Sequence, residues 1–196
     1  MPKIGSGLSY TQDYLTAAVL SGRAYRAYHI DLIGGSSNDN SLFIEVEVNS
    51  AAIRVHSREI LATSGPVKYT VWSGYSLATD PYLEEVPVRN LNTLPISGVV
   101  RPAETKMRKV RNNAVLDPLN NVPVLATDFE KDLITATENV GKNSIGSLSS
   151  QSLFSVIGGG SKFLLQIETE DTTNKATQIL IKFYVEEILS SMLVGD

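Results

Sequence analysis

The sequence predicts a mainly β protein, an antiparallel β-sandwich, and three observations carry that prediction. Leu42–Val48 alternates, with Leu42, Ile44, Val46 and Val48 on one face and Phe43, Glu45 and Glu47 on the other. A period of two with β-branched residues marks a strand that buries one side and wets the other. The pattern recurs near the end, in Phe163–Glu168 and Ile179–Val185. Turn signals separate the strand-like runs at intervals of about 8 to 12 residues, the spacing of sandwiches and barrels.

The elements follow in chain order. Residues 1–22 read as an N-terminal helix or arm, with a helix over Tyr10–Leu20 capped by Ser9 or Thr11 and stopped by Ser21-Gly22. Such a helix packs on its own sheet or docks on a neighbouring subunit. Strand patterning begins with Ala24–Ile33 and breaks at Gly34–Asn40, a run suited to a solvated loop. After Leu42–Val48, alternation returns in Ile53–Ile60. Ser64-Gly65-Pro66 marks a turn before Val67–Trp72, and Asp80-Pro81 opens a loop before the Glu85–Asn92 strand.

The region 94–160 reads as a long, irregular insertion. Pro95, Pro102, Pro118 and Pro123 confine strands there to edges, bulges and loops. Val110, Val115, Leu116, Val122, Val124 and Leu125 suit one or two edge strands, Asp128–Asn139 a short helix or irregular excursion, and Gly141–Ser147 a loop. Phe163–Thr169 and Gln178–Glu186 then read as a final hairpin with both arms lining one core. The β-sandwich thus runs over 23–187, and 188–196 form a tail, apolar over Ile188–Val194, that docks on its own subunit or on a partner.

Composition narrows the chemistry. The 196 residues are 42% hydrophobic, enough for one core, and carry a net charge of −4. That balance gives no global case for nucleic-acid binding. No cysteine is present, which removes disulfides, thiolate zinc sites and cysteine nucleophiles. The start of the chain lacks the pattern of a secretory signal, and no run reaches the roughly 20 apolar residues that span a bilayer. The chain therefore reads as soluble, assembled in the cytoplasm and without a membrane partner.

Candidate sites are sparse. His29 and His56 sit inside strand patterns and no Gly-x-Ser-x-Gly elbow accompanies them, so both read as structural rather than catalytic. His29 and Asp31 share a face but lack a third metal ligand. Glu45 with Glu47, and Glu168 with Glu170, read as solubilising outer-face pairs before they read as acid–base pairs. Asp128, Glu130, Asp132 and Glu138 lack a calcium-loop spacing. Arg101, Lys106, Arg108, Lys109 and Arg111 form the basic cluster, offset by Glu104, and suit a solvated loop or a subunit salt-bridge patch. Gly158–Gly160 precede a strand, so they form no phosphate loop. The expectation is a non-enzymatic protein with no catalytic, cofactor or metal site.

The order of segments also carries a resemblance. Gly22-Arg23-Ala24-Tyr25, a strand ending in Asn, Gly65–Trp72, Val86–Asn92 and the Phe-Leu-Leu-Gln-Ile … Ile-Leu-Ile-Lys-Phe-Tyr pair follow one another. Over roughly 22–92 and 161–187 this resembles a diffuse group of tailed-bacteriophage virion proteins with a jelly-roll-like β-sandwich. The resemblance implies a capsid decoration (cement) or accessory protein, often trimeric, that contacts itself and the major capsid protein or other virion proteins and does no chemistry. A neck, tail or fibre component is the rival within that class. A glycan-binding sandwich is the rival outside it, with Trp72, Tyr75 and Tyr82 as its aromatic candidates.

Overall fold

The computed structural model describes residues 16–35, 39–63, 66–92, 100–115, 127–134, 146–149, 155–169 and 176–188. Residues 16–20 form a helical turn, α1, which Gly22 ends at a φ of 70° while the amides of Ser21, Gly22 and Arg23 bond back to carbonyls of the turn. The part of the expected helix before residue 16, and the apolar tail beyond Ile188, lie outside the described residues.

Among the described residues twelve strands follow: β1 (Ala24–Gly34), β2 (Ser41–Glu47), β3 (Ala52–Ala62), β4 (Val67–Ser73), β5 (Tyr82–Val86), β6 (Val88–Asn90), β7 (Lys106–Val110), β8 (Thr127–Ile134), β9 (Gly146–Ser149), β10 (Ser155–Gly158), β11 (Lys162–Thr169) and β12 (Ala176–Ile188). A short helix, α2 (Asn112–Val115), follows β7. Every pairing is antiparallel. The first sheet runs β10-β3-β12-β1-β6 with β9 also on β3; the second runs β5-β7-β2-β11-β4-β8.

The order of pairing identifies the architecture. Strand β1 pairs β12, β2 pairs β11, β3 pairs β10 and β4 pairs β8. The chain therefore behaves as one long antiparallel ribbon, its first four strands matched in reverse against the last. The ribbon is rolled up so that β12 also meets β3 and β11 also meets β4. That is a jelly roll, two sheets closed over a shared core. Residues between β4 and β8 add β5 and β7 beside β2, and β6 beside β1.

Several elements differ from the sequence expectation. The 163–169 and 178–186 strands are not a hairpin, because β11 belongs to the second sheet and β12 to the first. They do line one core, with Leu165 and Ile167 facing Ile179, Ile181 and Phe183. The expected Glu85–Asn92 strand is two strands in different sheets, since Pro87, which lacks an amide donor, interrupts the ladder between them. Of Asp128–Asn139, expected as a short helix or irregular excursion, the described part belongs to β8 (Thr127–Ile134) on the edge of the second sheet, and 135–139 lie outside the described residues. The 146–149 segment, expected as loop, forms β9. Of the apolar residues expected in edge strands, Val110 ends β7 and Val115 lies in α2; 116–126 are outside the described residues.

Strand β3 does not alternate evenly. Ile53 is buried, and so are Ile60 and Ala62, at positions of opposite parity. The ladder resolves the conflict with a bulge: Tyr184 pairs Ser57 but Val185 pairs Val55, leaving His56 as the extra residue. One inserted residue flips the facing of everything beyond it. The outward side chains then meet around Glu186, whose carboxylate accepts from Arg23, Arg54 (3.2 Å) and His56 Nε2 (3.1 Å). Burial pushes the His56 imidazole below its ordinary value of 6.5, against the upward pull of Glu186. The unfolded imidazole binds a proton more readily than the folded one. Stability from this group is therefore complete above that value and falls as the pH drops through and below it. Urea midpoints are expected to fall more between about pH 7 and about pH 5 in the wild type than in His56→Gln; parallel profiles would refute the assignment.

Candidate functional site

The two sheets treat their outer faces differently. On the second, Phe43, Glu45 and Glu47 point away from the shared core, yet Phe43 is fully buried and Glu45 is 1% exposed. A second apolar cluster covers that face: Phe43, Val110, Val115 and Leu164, with Trp72, Tyr75 and Tyr82 packed against them. Glu45 is thus no solubilising surface charge. It accepts from the hydroxyls of Tyr75 and Tyr82 (2.8 Å each) and from Arg108 (2.7 Å), whose guanidinium lies 4.0 Å from the Tyr82 ring centre. Burial and the bond to Glu45 push both phenols up, Tyr82 to about 12 and Tyr75 further. Arg108 also bonds Glu47, which Lys162 reaches at 3.2 Å. These pairs hold the Glu47 carboxyl below its usual range although burial opposes them. The aromatics considered for glycan stacking are occupied in the same way, Trp72 donating to Gln166 at 2.8 Å.

The basic cluster is dispersed by the fold. Alternation along β7 sends Arg108 to the outer face, toward Glu45 and Glu47. Lys109 points to the inter-sheet side, where it meets Asp31 of β1 at 2.5 Å. Arg101 pairs Glu104, and Arg111 lies 3.9 Å from Asp80. Lys106 is exposed. His29 and Asp31 do share a face, the inward one, 3.4 Å apart, with Glu84 3.9 Å from His29. Burial would raise Asp31, but bonds from His29 and Lys109 outweigh it and hold the carboxyl at about 2. Among the described residues no group of three potential ligands is placed to hold a metal ion. Glu168 lies 3.8 Å from Lys68; Glu170 and Glu138 are outside the described residues, and the side chains of 128, 130 and 132 are not described. The space between the sheets bounded by Ala27, Val46, Ile53, Val88, Met107 and Phe183 measures about 10 Å³, room for one water at most.

Among the described residues, the first sheet has the more exposed outer face. Tyr25, Ala27 and Ile33 of β1 enter the core, so Arg26, Tyr28, Ile30 and Leu32 face out. Tyr28, Ile30 and Leu32 are 44%, 45% and 51% exposed. Strand register places Ile30 beside Leu180 and Leu180 beside Leu61, an apolar row across three strands. The next row is polar: Tyr28 beside Lys182, and Lys182 beside Glu59, to which it bonds at 2.9 Å. Arg26 comes next, opposite Arg89 of β6. Arg26, Tyr28, Pro87, Arg89 and Lys182 line a surface groove of about 290 Å³. Inspection of the sequence missed this site. The inverted polarity of β1, with His29 and Asp31 between exposed apolar residues, was the available signal.

No family model matches the chain, and no curated protein matches it. Among solved structures, one similar chain comes from a structure of infectious bursal disease virus, Gt strain, at 11% identity and a TM-score of 0.18. The match covers 88% of this chain and 42% of the viral chain, so this chain spans less than half of that one's length. A superposition that loose establishes no common fold. The jelly-roll assignment rests on the strand pairing itself.

Proposed function

We propose that this protein is a non-enzymatic structural component of a virus particle, a capsid decoration protein that binds through the outer face of its first sheet. The observation that carries the reading is the apolar row of Ile30, Leu180 and Leu61, exposed at Ile30 and half-buried at the other two, beside the exposed Tyr28 and Leu32. The opposite sheet of the same sandwich covers its outer face with a second cluster. Contiguous exposed apolar surface rimmed by polar groups marks a protein contact. Jelly rolls serve viral capsids and also lectins, and the sequence resemblance to phage virion proteins favours the first. Fold alone does not assign function. On this reading the chain forms a homo-oligomer, a trimer by the resemblance, and docks on the major capsid protein. Many modest contacts on a lattice then add up to tight attachment.

The test is light scattering on the purified protein, followed by sedimentation with undecorated capsids. The wild type is expected to co-sediment. The Ile30→Asp/Leu180→Asp variant is expected to lose affinity by about tenfold or more, since each buried aliphatic side chain is worth about 1.5–3 kcal/mol. Its circular dichroism should match the wild type, because both positions lie outside the core. Indifference of the wild type to capsids, with binding to tails or fibres, moves the protein to those structures; binding to neither removes the virion reading.

A further inference from the structure

Arg26 and Arg89 sit directly opposite one another in the β1–β6 ladder, both exposed on the outer face of the first sheet. Like charges in that relation repel. Elsewhere among the described residues most cations meet carboxylates: Glu59 for Lys182, Asp31 for Lys109, Glu186 for Arg23 and Arg54, Glu45 and Glu47 for Arg108. Arg26 and Arg89 have no ion pair among the described residues. With Lys182 they surround the groove of about 290 Å³, against Tyr28 and Pro87. Glu59 offsets Lys182, so the two guanidinium charges are left over.

We infer that this groove receives the carboxylates of an acidic segment on a partner protein, while the apolar row beside it takes that segment's apolar neighbours. Two guanidinium forks match carboxylate oxygens in pairs, and a bound anion removes the repulsion between them. Tyr28 and Ile30 are successive outward residues of β1, about 7 Å apart along the strand. One short segment therefore spans both features. A nucleic acid would need a continued cationic track. Here the groove gives way to aliphatic residues, on a chain of net charge −4. The inference rests on reading this face as a protein contact, but its test needs no capsid.

The ¹⁵N-labelled protein is titrated with hexaglutamate and, in separate arms at constant ionic strength, with inorganic phosphate and with oligothymidylate. Hexaglutamate is expected to shift the amide signals of Arg26, Tyr28, Arg89 and Lys182 saturably. Arg26→Gln/Arg89→Gln is expected to bind it at least about tenfold more weakly, at an unchanged or higher Tm, because no internal ion pair is lost. A stronger response to phosphate or oligothymidylate, an unaltered response in the variant, or no response overturns the inference. Hexaglutamate has no apolar neighbours to seat, so the uncharged Ile30→Ser/Leu180→Ser should bind it as the wild type does while losing capsid docking, and the two losses are read separately.

Discussion

Replacing Glu45 by alanine is expected to lower the free energy of unfolding by about 3–5 kcal/mol, the cost of removing one partner from a buried charge pair. The carboxylate is 1% exposed and holds Arg108 and the hydroxyls of Tyr75 and Tyr82. Without it two phenols lose their acceptor beneath the second cluster, where an unmade hydrogen bond costs about 1–3 kcal/mol. Arg108 keeps Glu47, which limits the damage. Glu45→Gln preserves volume and one carbonyl acceptor, so it should fall between alanine and the wild type. Urea unfolding at neutral pH measures the series. A loss below about 1 kcal/mol for Glu45→Ala would place the network among ordinary surface ion pairs and refute a structural role for the buried carboxylate.

Gly159→Ala is the second large effect. A Cβ on Gly159 would lie 2.3 Å from the Ser50 carbonyl oxygen and 2.8 Å from that of Ala51, both backbone atoms with no rotamer to move. The turn between β10 and β11 would have to withdraw, straining the bonds from the Gly159 amide to Ala51 (2.7 Å) and the Gly160 amide to Val48 (2.8 Å). Overpacking and two weakened hydrogen bonds together cost about 3 kcal/mol or more. Gly158→Ala is the control: its Cβ meets nothing within 4 Å, so its change should stay within about 0.5 kcal/mol. Equal thermal midpoints for the two variants would show that the turn is not seated as described.

Much of the fold was legible from periodicity, and the failures share a cause. Strands β1 to β4, β11 and β12 each announced themselves by alternation and β-branched content, and Gly22 by its place after the helical turn. Alternation says that a strand has two faces. It does not say what covers each. Glu45 looked like a wet face because charge on a strand ordinarily meets water; α2 and the aromatics at 72, 75 and 82 close over it instead. The basic run at 101–111 looked like a patch because its residues are neighbours in sequence, while a strand sends successive side chains to opposite sides. Strand β8 was hidden by its charged residues, which an edge strand tolerates.

By itself the sequence determined that the chain is built of β-strands, which residues can serve as core, and that cysteine chemistry is excluded. Those properties are local or compositional. The tertiary structure decided which strands are neighbours, and through them every feature of functional interest. β11 and β12 look like a hairpin and lie in opposite sheets. Arg26 meets Arg89, and Ile30 lines up with Leu180 and Leu61, only once distant segments have paired. On β1 both parities carry large apolar groups, Tyr25 and Ile33 on one and Tyr28, Ile30 and Leu32 on the other. The pattern alone could not choose the buried side. The ladder to β12 and the packing of the second sheet made that choice, because the face that excludes most water goes inward and the other stays outward.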